Sequence, residues 1–286
     1  MSKFLEAFKA EIDTRENANV FFIGEYHDGK IETMRLQQTN PCQDTYSVSK
    51  AFVVTAIGML VDRGLLSTDE VLTDILADEL PETYNEVWTK TTVHMLLLHK
   101  VGLSGGFLDI DCFDATQFGD DYLAHVLNAP IKEDFDLVKE TYTDAAFYLL
   151  SRLVEKRAGM RTDDFLWQNL FYPTGCREAA WSHCPKGHAM GATGLYIRVE
   201  DMTKLGAVYL KGGEYRGKRI VSEEWVKKVL EREYEFAPNG IKDSYNKGGM
   251  NGQNLLVIPC ENRVVGWQGY DIRPDGPDLT KFAAEY

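Results

Sequence analysis

Ser47-Val48-Ser49-Lys50 places a hydroxyl and an amine three residues apart at the head of an apolar run. From Ala51 to Val61 only Thr55 and Gly58 fall outside the hydrophobic set. Residues i and i+3 share one face of a helix, about one turn of rise apart. A lysine held there among buried neighbours loses water. Desolvation lowers a lysine pKa, so the amine can act as a base near neutral pH. That meets the main difficulty of serine chemistry, because a free hydroxyl is a poor nucleophile without an adjacent base. Read alone, the same tetrapeptide also fits an N-cap serine followed by a surface lysine. The rest of the chain has to decide.

A Ser/Lys hydrolase needs a second proton-transfer group near the leaving atom. It needs two backbone N–H groups aimed at the oxyanion. It also needs a donor for the substrate's carboxylate or carbonyl. Tyr142-Thr143-Asp144 stands directly before a helical pattern, and so on a loop leading into a helix. Beside lysines, a tyrosine phenol approaches the phenolate and relays protons. Lys247-Gly248-Gly249 precedes a strand-like run, and its glycines permit close approach of substrate to backbone. If that strand borders the cleft, the Met250 N–H can pair with the Ser47 N–H as an oxyanion hole. Taken singly, a half-buried tyrosine and a flexible turn account for these two motifs equally well.

The elements that must carry these groups follow from periodicity. Phe4, Leu5, Phe8 and Ile12 give a helix over 3–15. Strands are expected over 20–25 and 30–37, joined by the hairpin turn His27-Asp28-Gly29. The apolar helix runs over 47–62, with Gly64 as its cap, and Ser67-Thr68-Asp69-Glu70 reads as the start of another. Further helices are expected over 91–98, 145–157, 162–173, 200–210 and 223–233, with strands over 254–258 and 263–267. The glycine- and aspartate-rich segment 104–121 reads as a solvated loop. Its Asp109-x-Asp111 lacks the turn glycine and terminal glutamate of an EF-hand, so no metal is expected. Strands at both ends enclose helices in the middle. The expected class is α+β, with an antiparallel sheet built from both chain ends and flanked by helices, and an inserted helical lobe. The whole of 1–286 reads as one domain, with an α/β lobe at about 1–65 and 190–286 and a helical lobe at about 66–189.

Composition narrows the function. The 286 residues are 44% hydrophobic and 26% charged, ordinary for a globular protein with a sizeable core. A net charge of −13 with no basic cluster disfavours nucleic acid. The longest apolar run is too short to span a bilayer, and the first residues lack the apolar core of a signal peptide. Five cysteines without a Cys-x-x-Cys pair read as free thiols in a reducing cytosol, not as a zinc site. A cytoplasmic protein is therefore expected. Ser47 is flanked by Tyr46 and Val48 and so lacks the Gly-x-Ser-x-Gly setting of a Ser-His-Asp triad, and His99 and His188 read chiefly as structural. Trp167, Trp181 and Trp225 read as packing residues.

In their order, Ser47-Val-Ser-Lys50, Tyr142-Thr-Asp144 and Lys247-Gly-Gly249 resemble the three motifs of the serine β-lactamase and penicillin-binding-protein superfamily. The nearest branch is that of class C β-lactamases, D-alanyl-D-alanine carboxypeptidases and family VIII esterases. The helix after Ser47, Leu96-Leu-Leu-His99 before Gly102-Leu103, Gly194-Leu195-Tyr196 and the run from Gly248 to Pro259 are also similar, so the likeness spans roughly 18–270. It implies a β-lactamase/transpeptidase-like fold and acyl-enzyme chemistry without metal or organic cofactor. In that scheme Ser47 is acylated, Lys50 is its base or electrostatic partner, and Tyr142 shuttles the proton. Lys247 anchors a substrate carboxylate and holds the tyrosine's charge state. Asp144, Gly249 and Met250 line the substrate and oxyanion side.

Two positions depart from the pattern. Asp144 replaces an asparagine and can only accept hydrogen bonds when ionised. Gly248 replaces a threonine and removes a hydroxyl. With the cytosolic expectation, these lean toward hydrolysis of a small ester or amide. β-Lactamase or D-amino-acid peptidase activity remains an alternative, as does a non-catalytic binding protein on the same scaffold. The expected partner is a small ester, amide or β-lactam-like molecule; sequence pattern leaves oligomeric state open.

Overall fold

The computed structural model describes residues 2–132, 139–273 and 278–286. By its internal contacts the chain divides into two compact units. The first comprises 1–52, 168–180 and 194–286; the second comprises 53–167 and 181–193. The helix following Ser47 passes from one into the other.

The first unit is organised by a six-stranded antiparallel sheet. Its strands are β1 (Val20–His27), β2 (Lys30–Arg35), β3 (Ala237–Pro238), β4 (Tyr245–Gly248), β5 (Asn254–Ile258) and β6 (Arg263–Gly269). They lie in the order β2-β1-β6-β5-β4-β3, so the two ends of the chain meet at β1 and β6. The β1–β2 hairpin turns at Asp28 and Gly29, with φ of 47° and 81°. Two successive positive φ values match the right-handed twist of the strands they join.

Residues of β5 and β6 are all buried, on both faces. Helices explain why. On one face lie α1 (Lys3–Asp13) and the C-terminal helix Leu279–Glu285, which complete a core with Phe4, Leu5, Phe8, Ile23, Leu256 and Trp267. The ring of Phe8 sits 5.5 Å from Trp267 and 5.8 Å from Phe282. On the other face the helix Val199–Leu210 crosses β1, β6 and β5. Glycine makes that approach possible. A Cβ on Gly206 would stand 2.5 Å from Val264 Cγ1, far inside contact distance.

The second unit is helical. α2 (Ser49–Asp62) contributes its residues from Val53 onward, and α3 (Asp144–Ala158) is buried from Asp144 through Val154. The short helix Val93–Leu97 rests on α3. Two polar contacts inside it are Ser151 Oγ with Thr162 Oγ1, 3.0 Å apart, and Trp181 Nε1, which donates to Thr193 O at 2.8 Å.

Several expected elements differ in detail. Thr162 to Thr174 is helical throughout, as expected, but carries a π segment at Trp167–Phe171. Ser67–Glu70 forms a turn closed by Ser67 N–H donating to Glu70 Oε2, and helix starts only at Leu72. The segment 104–121 holds a 3-10 turn at Ala115–Phe118. Short strands at Cys42–Asp44 and Leu195–Arg198, paired antiparallel, were not expected.

Candidate active site

Ser47 sits in a single 3-10 turn, Tyr46–Val48, that runs directly into α2. Residues 49–60 are all buried. A helix apolar on every side must be enclosed, and here it encloses Lys50 as well, whose exposure is 0%. Lys50 Nζ lies 3.1 Å from Ser47 Oγ, within hydrogen-bond reach.

The turn is braced from both sides. Thr45 N–H donates to Leu195 O at 2.9 Å, and Thr45 Oγ1 donates to the same oxygen at 2.9 Å. Ser49 Oγ is 3.0 Å from Thr45 Oγ1 and accepts from Leu195 N–H at 3.3 Å. Between these anchors Tyr46 has φ 47°, a left-handed conformation costly for a side chain of that size. Its N–H donates to Asp44 Oδ1 at 2.8 Å. The short strand at Leu195 thus explains why the Gly194-Leu195-Tyr196 segment belongs with the serine motif. The first N–H groups of a helix lack intrahelical acceptors, so the Ser47 amide suits an oxyanion donor.

The third motif stands in the same unit. Lys247 precedes β5, as expected, but lies itself inside β4, opposite Leu255 of β5. β4 packs against the Tyr46–Val48 turn. Gly249 N–H donates to Gln253 O at 2.8 Å, and Gly252 N–H donates to Gly249 O at 3.0 Å, so a tight turn follows the strand. A Cβ on Gly249 would meet Thr45 O at 2.8 Å and Gln253 Oε1 at 2.9 Å. Only glycine lets this turn close on the residue two before Ser47. The Gly249 amide is therefore committed to Gln253, and Met250, half-exposed, is the next residue along. Gln253 is 1% exposed and donates to Gly269 O at 2.7 Å, tying the turn to β6.

Lys247 has a partner that pattern reading did not find. Its Nζ forms an ion pair with Glu235 Oε2, and the two side chains are 11% and 4% exposed. The sequence signal was a lone glutamate between two aromatic residues, Tyr234 and Phe236.

The second motif belongs to the other unit. Thr143 caps α3, accepting from Ala145 N–H, while its Oγ1 donates to Phe107 O at 2.8 Å. Asp144 is the first residue of the helix and is 6% exposed. Tyr142 is 42% exposed, on the loop just before. Its ring centroid lies 4.5 Å from that of His99, which is buried. His99 Nδ1 is 3.1 Å from Thr143 O and 3.3 Å from Thr143 N, and Thr141 N–H donates to His99 O at 3.1 Å. The His99 ring thus holds the Tyr142 loop from the side and at Thr143, and its backbone carbonyl holds it at Thr141. His188 pairs instead with Glu155, Nδ1 to Oε2 at 2.6 Å, a bracing contact to α3.

The carboxylates of Asp109, Asp111 and Asp144 converge, each with an oxygen within 4.8 Å of the others. Thr193 Oγ1 donates to Asp111 Oδ2, and Asp109 Oδ1 accepts from the N–H groups of Asp111 and Cys112 at 2.9 and 3.1 Å. Asp109 and Asp111 therefore lie at the head of α3, while residues 111–117 are exposed, in line with the solvated-loop reading.

An α+β fold with a Ser-x-x-Lys pair at the head of a buried helix is the β-lactamase/transpeptidase architecture. A family model described as Beta-lactamase matches residues 23–272, and the chain belongs to that family, within the superfamily of serine β-lactamases and penicillin-binding proteins. The chain is 33% identical over 137 residues to penicillin-binding protein 4 of Amycolatopsis lactamdurans, a match covering 46% of this chain and 34% of that protein. It is 23% identical over 269 residues to the 6-aminohexanoate-dimer hydrolase of Paenarthrobacter ureafaciens, covering 79% of this chain and 67% of the hydrolase. The chain thus spans about a third of the length of the first relative and two thirds of the second. Among solved structures, a family VIII carboxylesterase superposes with a TM-score of 0.74 at 16% identity, over 99% of this chain and 96% of that one. No helix among the described residues is long and apolar enough to cross a membrane.

Proposed function

We propose that the protein is a serine hydrolase of small esters or amides that works through an acyl-enzyme on Ser47. The observation that carries this reading is Lys50 Nζ, wholly buried and 3.1 Å from Ser47 Oγ. An amine kept from water gives up its proton more readily, and only the neutral amine can take the serine proton. Ser47 Oγ then attacks the substrate carbonyl as its proton moves to Lys50 Nζ. The oxyanion forms facing the Ser47 and Met250 N–H groups, the role assigned to them here. Collapse expels the alcohol or amine, which leaves with a proton delivered by Tyr142. Water attacks the ester in the second half-cycle, its proton taken by the Tyr142 phenolate; the acyl–Oγ bond breaks and Lys50 returns its proton to Ser47 Oγ.

Asp144 supports the preference for esters or amides over β-lactam and peptidoglycan substrates. An ionised carboxylate at that position accepts hydrogen bonds and repels an acidic substrate. The named relatives include a dimer hydrolase and a carboxylesterase, in line with this choice. We place the protein in the cytoplasm, on the scattered spacing of its cysteines.

Mass spectrometry after treatment with a fluorophosphonate probe tests the mechanism. A single adduct is expected, on the peptide bearing Ser47. Folded protein that leaves Ser47 unlabelled refutes it. Rates on p-nitrophenyl esters against a chromogenic cephalosporin separate the ester reading from β-lactamase activity.

A further inference from the structure

The third motif brings one ammonium beside the Ser47 turn, and that ammonium is already matched. Glu235 and Lys247 form an ion pair almost closed to solvent, with 4% and 11% of their side chains exposed. The glutamate is held there from both sides. Tyr234 is fully buried, donates its N–H to Val229 O at 2.9 Å, and lies 6.1 Å from the Trp225 ring. Phe236 is fully buried as well, 4.4 Å from the Tyr209 ring and 5.8 Å from the Tyr245 ring. Between these anchors Glu235 takes φ 65°, which a glutamate adopts only when its surroundings over-determine it. Tyr245 and Lys247 are two apart on β4 and share a face. The strand that receives Phe236 therefore also presents the lysine to Glu235.

We propose that Glu235 determines specificity by cancelling the Lys247 charge, so that the acyl substrate carries no free carboxylate at this end of the site. The inference rests on the hydrolase reading above and names its substrate class. An anionic substrate would have to share one ammonium with a carboxylate that is fixed and desolvated. Two like charges held close in a medium of low dielectric repel strongly. An uncharged ester or amide meets no such repulsion. Lys247 is then a positioning residue, its charge matched within the protein instead of by substrate.

The test uses the full chain and two esters with the same leaving group: p-nitrophenyl butyrate, and mono-p-nitrophenyl glutarate, which adds a carboxylate at the far end of the acyl chain. The wild-type protein is expected to favour the neutral ester at least tenfold in kcat/KM. Glu235→Gln should move that ratio at least tenfold toward the anionic ester, and Glu235→Gln with Lys247→Met should return it. A ratio is read because it does not depend on the fraction of folded enzyme. Equal wild-type rates on the two esters overturn the proposal, a comparison that stands even if the variants do not fold. An unchanged ratio in Glu235→Gln, or a shift that survives in the double variant, overturns it too. No turnover of either ester, with Ser47 unlabelled by the fluorophosphonate, overturns the hydrolase reading and this inference with it.

Discussion

Replacing Lys50 with methionine separates a catalytic lysine from a structural one, because activity and stability should move in opposite directions. The lysine is 0% exposed, with Nζ 3.1 Å from Ser47 Oγ. Methionine keeps much of the unbranched volume and removes the amine. General-base catalysis contributes about 10²- to 10⁴-fold, and groups that act as a unit fall together toward the upper end. A loss of about 10³- to 10⁴-fold in kcat/KM is expected, or roughly 4–5.5 kcal/mol of transition-state stabilisation. Stability has a different expectation. Exchanging a buried ionisable group for an apolar one of similar size is often neutral or stabilising by about 1–4 kcal/mol. The melting temperature should therefore hold or rise by a few degrees. Initial rates on p-nitrophenyl butyrate and a thermal melt, run on one preparation, give both numbers. Activity within tenfold of wild type would refute the base assignment. A large loss of activity accompanied by a fall in melting temperature would show a packing role instead.

Three further outcomes are expected. Tyr142→Phe should lower kcat at least about 100-fold with the melting temperature nearly unchanged, since the side chain is 42% exposed; near-wild-type turnover would reject the proton relay. Gly249→Ala should lower activity while the protein stays folded, because its Cβ would stand 2.8 Å from Thr45 O and push the turn off the Ser47 segment; unchanged rates would show that the turn has room to yield. Alkylation at pH 8 should reach the exposed Cys260 first. Burial, with the Glu178 carboxylate beside it, pushes the Cys42 thiol up to about 11, and burial pushes Cys176 up to about 12. Both are raised acids, so the stability they contribute is full below the ordinary thiol pKa of about 8.5 and lost as pH rises toward their folded values. Iodoacetamide rates by peptide mass spectrometry check the order; Cys42 reacting as fast as Cys260 at pH 8 would contradict it.

The Ser47–Lys50 pair was legible because its geometry is local. Three residues on a helix bring two side chains together wherever that helix goes, and the apolar run after Lys50 announced that this one would be enclosed. The strands that close the sheet, β1 with β6 and β5, were legible for a related reason: buried strands leave continuous apolar runs between turn residues. The short strands were not. Cys42–Asp44 is three residues long and Leu195–Arg198 four, too brief for an alternating pattern. β4 carries a lysine and a glycine where strand composition would put branched residues.

The sequence by itself determined the family, through the order of its motifs, and pointed to the groups proposed here for the chemistry, Ser47, Lys50, Tyr142 and the glycines after Lys247. Tertiary structure decided what surrounds them. It set Glu235 against Lys247, His99 beneath the Tyr142 loop, and Thr45 O where only Gly249 could approach. The Asp109–Asp111 loop folds onto the head of α3 in the same way. Each of these contacts joins residues a dozen or more positions apart. Such pairings are fixed by strand register and core packing, which no short window of sequence contains.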